Sequence, residues 1–444
     1  MRLWLIPTSY TAASVAAATV VPRLEQAWAP GLIHGMSAAS ATAFLSATAS
    51  GMLAMTAIVF SIAFVMVQFS AVAYSPRLVL WFASRPGLYH ALGVFMATFA
   101  YAMAAMMWTD RSGSGSAPLI STLLVIALLI ASMLAFVLLV QSLSGLQITE
   151  VLCLIGDRGR DVLAAPSSVY RAPSRLKDRC AGPPVADLGP PVRTLLHEGS
   201  PRSITELDVR TLVERAEAAD LVFVLACGVG DTLVEESPIL HVHARGGQAT
   251  DFDERAVRAA VRLGRERTFD QDPKWALRLL VDIAIKALSP AINDPTTAVQ
   301  ALDQIDDLLR RMARLDLESV WVGGADGAPR LFIPLPSWND MLALSFDEIR
   351  QFGATSVQVM RRLRAALVGL QDVATAPERR DAVDGYLDHL DQNIRKSVLD
   401  TQDRITARQI DLQGLGLTRS PKPPGPGTAR PKARPSAREG PSGA

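Results

Sequence analysis

Residues 118–140 read Pro-Leu-Ile-Ser-Thr-Leu-Leu-Val-Ile-Ala-Leu-Leu-Ile-Ala-Ser-Met-Leu-Ala-Phe-Val-Leu-Leu-Val and contain no charged group. At about 1.5 Å per residue such a helix spans roughly 35 Å, enough to cross a hydrocarbon core of about 30 Å. Three further apolar runs lie upstream, near 4–21, 51–73 and 90–109. Over residues 1–145 the chain carries five basic groups (Arg2, Arg23, Arg77, Arg85, Arg111) and two acidic ones (Glu25, Asp110), and its first lysine is Lys177. A water-soluble domain does not forgo charge over such a length, so this third of the 444 residues is read as four transmembrane helices.

The first run is the most dilute, interrupted by Pro7, Thr8, Ser9 and Thr11. Ala27-Trp28-Ala29 imitates a signal-peptide cleavage site, but Pro30 follows it, and an uncleaved anchor is expected. The segment 74–89 holds Arg77 and Arg85 without an acid, which places it on the cytoplasmic side by the bias of short loops. Both termini and everything after Ser142 are then expected in the cytoplasm of a cell whose inner membrane holds the spans. Trp4, Tyr74, Trp81 and Tyr89 fall at inner ends and Trp28 and Trp108 at outer ends, as interfacial aromatics do. Residues 36–50, rich in small side chains, are expected to extend the second span as an outer helix.

Downstream the composition is that of a soluble body. The net charge of +1 conceals +3 over 1–145, −7 over the middle and +5 over the tail 419–444. An acidic body argues against nucleic acid as a partner. Three cysteines (Cys153, Cys180, Cys227) form no C-x-x-C pair, and six scattered histidines make no zinc pattern, so no metal or cofactor is expected. The expected fold class is a polytopic α-helical membrane domain of four transmembrane helices followed by a cytoplasmic α+β domain, mostly helical. The segments are 1–145 (membrane), 146–192 (amphipathic helix and Pro-rich linker), 193–250 (small α+β module), 251–417 (helical region with one β-hairpin) and 418–444 (basic Pro-rich tail).

Within this body, residues 142–165 are expected to continue the fourth span as a helix, and six prolines over 166–192 to exclude regular structure. A strand at Arg202–Glu206 leads to a helix capped by Asp208, then to the buried-strand run Leu221–Cys227 and the strand Ile239–His243. Gly228-Val229-Gly230-Asp231 suggests a dinucleotide loop, but the third glycine would fall at Leu233, which excludes it. His241 and His243 share a strand face, with an ordinary exposed strand favoured over metal ligation. A helix is expected over Asp253–Leu263. Asp272-Pro273 and Asn293-Asp294-Pro295 each repeat an Asp cap followed by proline at the first helical position, opening helices over 274–288 and 295–314. A hairpin turning at Asp326-Gly327 follows, then helices over 338–350, 354–373 and 377–413.

Two sets of residues are candidates for function. Ser61, Gln68 and Ser75 recur every seventh position and so share one helix face. They would line a water-filled path, although interhelical hydrogen bonding is the commoner reason for such a stripe. On the second helix of the 253–312 region, Arg278, Asp282 and Lys286 stand at four-residue spacing among apolar neighbours. Pairing with Arg265, Glu266 or Arg267 would make them, with Asp272, Asn293 and Asp294, a regulatory or ligand-binding junction; a helical hairpin tied by ion pairs is the plainer reading. No nucleophile–base pair or phosphate loop is legible, so no catalytic residue is assigned.

Two stretches resemble the bacterial family defined by domain of unknown function 2254. The first runs from Met55-Thr-Ala-Ile-Val-Phe-Ser61 through Gln68 to Tyr74-Ser-Pro-Arg77, with Leu92-Gly93, Phe95, Thr98-Phe99 and Tyr101. The second comprises Arg267-Thr268, Gln271-Asp272-Pro273, Leu280–Ala284, Ala287–Pro290, Ile292–Pro295 and Thr297-Ala298. Thr232-Leu233 depart from the family's usual Phe-Val. The resemblance covers most of residues 1–410, implies an inner-membrane protein and brings no catalytic residue. The expectation is a homo-oligomer that conducts or transports a small solute, gated by its cytoplasmic domain. A membrane-anchored sensor or scaffold is the alternative, and the basic tail is expected to rest on anionic lipid.

Overall fold

The computed structural model describes residues 4–28, 37–73, 86–112, 119–144, 147–165, 179–245, 251–315, 317 and 319–416. Four long helices come first: α1 (Leu5–Trp28), α2 (Ala38–Ala73), α3 (Pro86–Ser112) and α4 (Leu119–Ser144). Each contains a stretch long and apolar enough to cross a bilayer: Leu5–Glu25, Ala38–Val65, Gly87–Trp108 and Leu119–Gln141. Residues 38–50 do extend the second span, as one unbroken 36-residue helix.

Helix α3 packs against all three others. Small side chains permit this: Ala18, Ala49, Ala91, Ala97, Ala102 and Ala105 are buried, and large groups such as Phe95 and Tyr101 fill the remaining space. Hydroxyls tie the helices where lipid offers no competing partner. Ser14 Oγ donates to the Ala97 carbonyl at 2.6 Å, and Thr98 and Ser132 share a hydrogen bond of 2.8 Å.

The first departure from expectation lies at the end of α4. That helix stops at Ser144, and a separate helix α5 (Ile148–Ala164) begins at Ile148. Gly156 and Gly159 let α5 press on its neighbours: a Cβ at Gly159 would lie 2.9 Å from both Ala276 and Leu308.

Among the described residues the body holds two sheets. Strands β1 (Arg179–Cys180), β2 (Arg193–Leu196), β3 (Arg202–Leu207), β4 (Leu221–Leu225), β5 (Thr232–Leu233), β6 (Pro238–Ala244), β7 (Val261–Gly264), β8 (Val320–Gly323) and β9 (Pro329–Ile333) occur in this order. Six form a sheet ordered β1-β8-β9-β4-β6-β2, in which only the β4–β9 pair is parallel; the others form a second sheet, β5-β3-β7. The hairpin expected at Asp326-Gly327 is present as β8–β9, and it completes the sheet that the 193–244 strands begin.

The helices of the body are α6 (Val209–Ala218), α7 (Glu254–Ala260), α8 (Pro273–Ala287), α9 (Pro295–Met312), α10 (Trp338–Phe352), α11 (Val357–Val373), α12 (Pro377–Ser397) and α13 (Thr401–Ala407); the first two pack on strands and the rest mainly on one another. The apolar faces of α8 and α9, from Ala276 to Met312, enter one continuous core with strands β3, β4, β6, β8 and β9.

Four local expectations need correction. The 253–263 helix ends at Ala260, because Val261–Gly264 satisfies the open edge of β3 as strand β7; Gly264 fits where a Cβ would meet Thr205 at 2.6 Å. The Pro-rich stretch is not wholly irregular. Arg179–Cys180 pairs with β8, Val185–Leu188 makes a 3₁₀ turn, and the Trp321 indole donates to the Pro183 carbonyl at 3.1 Å. The face bearing His241 and His243 is covered: His241 meets Thr194 Oγ1 at 3.0 Å, and His243 is buried, which favours its neutral form. The helix expected over 377–413 breaks after Ser397, leaving Leu399 85% exposed, and Asp400 recaps the chain by accepting from the amides of Gln402 and Asp403.

Candidate functional site

The most specific sequence elements of the body converge at the start of α8. The strand β4 delivers the turn Gly228–Asp231, and residues 265–272 lead into α8 opposite it. Within the turn the Gly228 amide donates to Asp231 Oδ2 at 2.8 Å, and Gly230 adopts φ +87° while its amide bonds the Ile204 carbonyl at 2.8 Å. Glycine is required here twice over, since a Cβ at Gly230 would lie 2.0 Å from Asp272 Oδ2.

Asp272 caps α8 as expected, its Oδ1 accepting from the Lys274 amide at 3.0 Å. It is only 2% exposed, and its Oδ2 has no hydrogen-bonding partner among the described residues. Burial pushes its carboxyl up to about 6; the cations of Lys274 and Arg267 oppose that rise and Asp231 adds to it. Lys274 Nζ reaches Asp231 at 3.6 Å, and the Arg267 guanidinium lies over the Trp275 ring at 5.9 Å. Gln271 bridges to β3, donating to the Leu207 carbonyl and accepting from its amide. The result is a buried carboxyl whose neutral form is favoured by burial, held between a tight glycine turn and a helix start.

Arg278 and Asp282 lie farther along α8 and do pair, at 2.7 Å. The second partner of Arg278 lies on α10. Arg278 makes a two-bond contact to Glu348 of α10, at 2.9 and 2.7 Å, which holds the Glu348 carboxyl below its ordinary range. Lys286 is half-buried one turn on. Asn293 and Asp294 stand at the opposite end of α8, where Asn293 takes φ +49° and Asp294 caps α9 through Thr297. The expected junction is therefore strung along α8 in three places: Arg267 and Asp272 at its start, Arg278 and Asp282 in the middle, Asn293 and Asp294 beyond its end.

In the membrane domain Ser61 and Gln68 are both exposed on the surface of α2, and Ser75 lies outside the described residues. Glu25 and Tyr101, which are not among the site candidates drawn from the sequence, are fully covered instead. The signal for Glu25 was available: it is one of two acids in 145 residues. No signal marked Glu348, since it lies 70 residues from Arg278.

Four apolar helices joined to a mixed helix-and-sheet body define a polytopic membrane protein. The chain belongs to the family described as "Predicted membrane protein (DUF2254)", which matches residues 1–368. It is similar to uncharacterized proteins of Mycobacterium tuberculosis and Mycobacterium bovis, each 25% identical over 412 residues, covering 90% of this chain and 78% of the relative. No solved structure matches.

Proposed function

We propose that the protein is a homo-oligomer of the inner membrane in which α2 helices from several copies surround a path for a small solute, gated by a cytoplasmic body. The observation that carries this reading is the exposure of Ser61 and Gln68 on a helix whose other exposed groups include Ile58, Phe60, Phe64 and Val65. Polar side chains facing lipid are unfavourable, and a second copy or a water-filled lumen relieves them. Within one chain the bundle interior is filled, notably by Phe95 and Tyr101, so a path would run between copies. Arg77 and Arg85 favour the orientation with both termini in the cytoplasm. Flux of small ions into vesicles holding the full chain tests this: Gln68→Leu should reduce it severalfold, and unchanged flux would remove the pore.

A second reading rests on Asp272. A buried carboxyl poised near pH 6 at the contact of two loops suits a sensor that responds to protons or to a bound partner, with the spans serving as an anchor. Wild-type protein without measurable flux, together with a pH-dependent change in protease accessibility of the body, would favour the sensor.

A further inference from the structure

Three oxygen-bearing side chains on three helices converge at the end of the bundle remote from the body. Glu25 closes the span of α1, Ser121 stands in the first turn of α4, and Tyr101 lies about two turns inside the end of the α3 span. All three are at least nine-tenths buried: Glu25 is 2% exposed, Ser121 4% and Tyr101 0%. Glu25 Oε1 accepts from the Ile120 amide at 3.0 Å, which anchors the carboxyl against α4. Tyr101 lies beside Ser121, near enough for the two hydroxyls to interact, and within electrostatic reach of Glu25. Glu25 Oε2, the Tyr101 hydroxyl and Ser121 Oγ all lack a partner among the described residues. The guanidinium of the sequence neighbour Arg23 lies over the Trp108 ring at 5.6 Å.

We propose that Glu25, Tyr101 and Ser121 bind a single alkali-metal cation, such as sodium, at the membrane face opposite the body. One carboxylate and two hydroxyls are an all-oxygen set, which suits a hard cation. They supply one negative charge, matching a monovalent ion; a divalent one is ordinarily held by several carboxylates. The helix start at Ile120 already stabilises one carboxylate oxygen, and the cation compensates the other, whose burial in an apolar bundle is otherwise costly. Tyr101 and Ser121 present hydroxyl lone pairs to the ion. The site is independent of the α2 path, and its failure leaves that reading untouched.

Melting of the full chain in mild detergent tests the site, with sodium chloride titrated against choline chloride at constant ionic strength and pH. Sodium should raise the melting temperature saturably, as a ligand of the folded state does. Glu25→Gln should abolish the sodium-specific rise, and Ser121→Ala should weaken the apparent affinity about tenfold. Should Glu25→Gln not fold, Tyr101→Phe keeps the carboxylate and its Ile120 contact and should also weaken sodium binding about tenfold. Equal melting in both salts would overturn the proposal, indicating bridging water alone. So would a rise in Glu25→Gln equal to that of wild type, sodium affinity unaltered by Tyr101→Phe, or stabilisation that follows pH but not sodium.

Discussion

Asp272→Asn removes one proton equilibrium and leaves the helix cap, because an amide oxygen accepts from the Lys274 backbone as the carboxylate does. In the folded protein this carboxyl titrates near 6, raised from 3.8. The folded state therefore holds the proton more tightly than the unfolded chain. Stability from this group is complete below pH ~4 and is lost as the pH rises through ~6. At about 1.4 kcal/mol per unit the full loss is about 3 kcal/mol, of which about 2 kcal/mol falls between pH 4 and pH 6. The asparagine variant lacks this loss. Any penalty from placing an amide nitrogen against Gly230 is the same at every pH, so it displaces the curve without tilting it. The assay is thermal unfolding of the full chain in detergent at half-unit steps from pH 4 to pH 7.5, variant against wild type. The difference between the two melting temperatures should move steadily in favour of the variant as pH rises through this window. A difference that stays constant would show that the Asp272 carboxyl is solvated in the folded protein, and the argument from burial would fail.

Gly230→Ala places a methyl group on Asp272 Oδ2 at a positive φ and should cost several kcal/mol, whereas Gly189→Ala, with open space around it, meets only backbone strain and should cost less, about 1–3 kcal/mol, by melting. Glu348→Ala breaks the two-bond contact with Arg278; with Glu348 partly exposed, a double-mutant cycle with Arg278→Ala should give a coupling of about 1 kcal/mol. Asp282→Ala should lower the melting temperature by less than Glu348→Ala, because it leaves the Arg278 fork engaged; a larger drop would reassign the main partner. Thr98→Val removes a buried hydroxyl that meets Ser132 and should cost about 1–2 kcal/mol in detergent, read as a lower melting temperature.

The four long apolar helices and the capped helices of the body were legible because each depends on local chemistry. Charge scarcity and apolar length mark a span, and an Asp before a proline marks α8 and α9 wherever they lie. The failures depend on remote partners. Val261–Gly264 continues a helical pattern, and only the unpaired edge of β3 turns it into a strand. Arg179–Cys180 is a strand because β8, more than a hundred residues later, accepts it. The charge ladder on α8 was legible, but Arg278's contact with Glu348 was not, since nothing near Arg278 points to it. Seven-residue spacing puts Ser61 and Gln68 on one helix face, but periodicity alone does not say whether that face looks inward or outward.

The account turns on what covers the outward face of α2. Single cysteines at Ser61 and at Gln68, in chains freed of Cys153, Cys180 and Cys227, followed by mild oxidation in native membranes, measure it directly. Disulfide-linked dimers should form at one or both positions. Chains that remain monomeric at both, and that run as monomers in mild detergent, would place the face in lipid and contradict the oligomeric path.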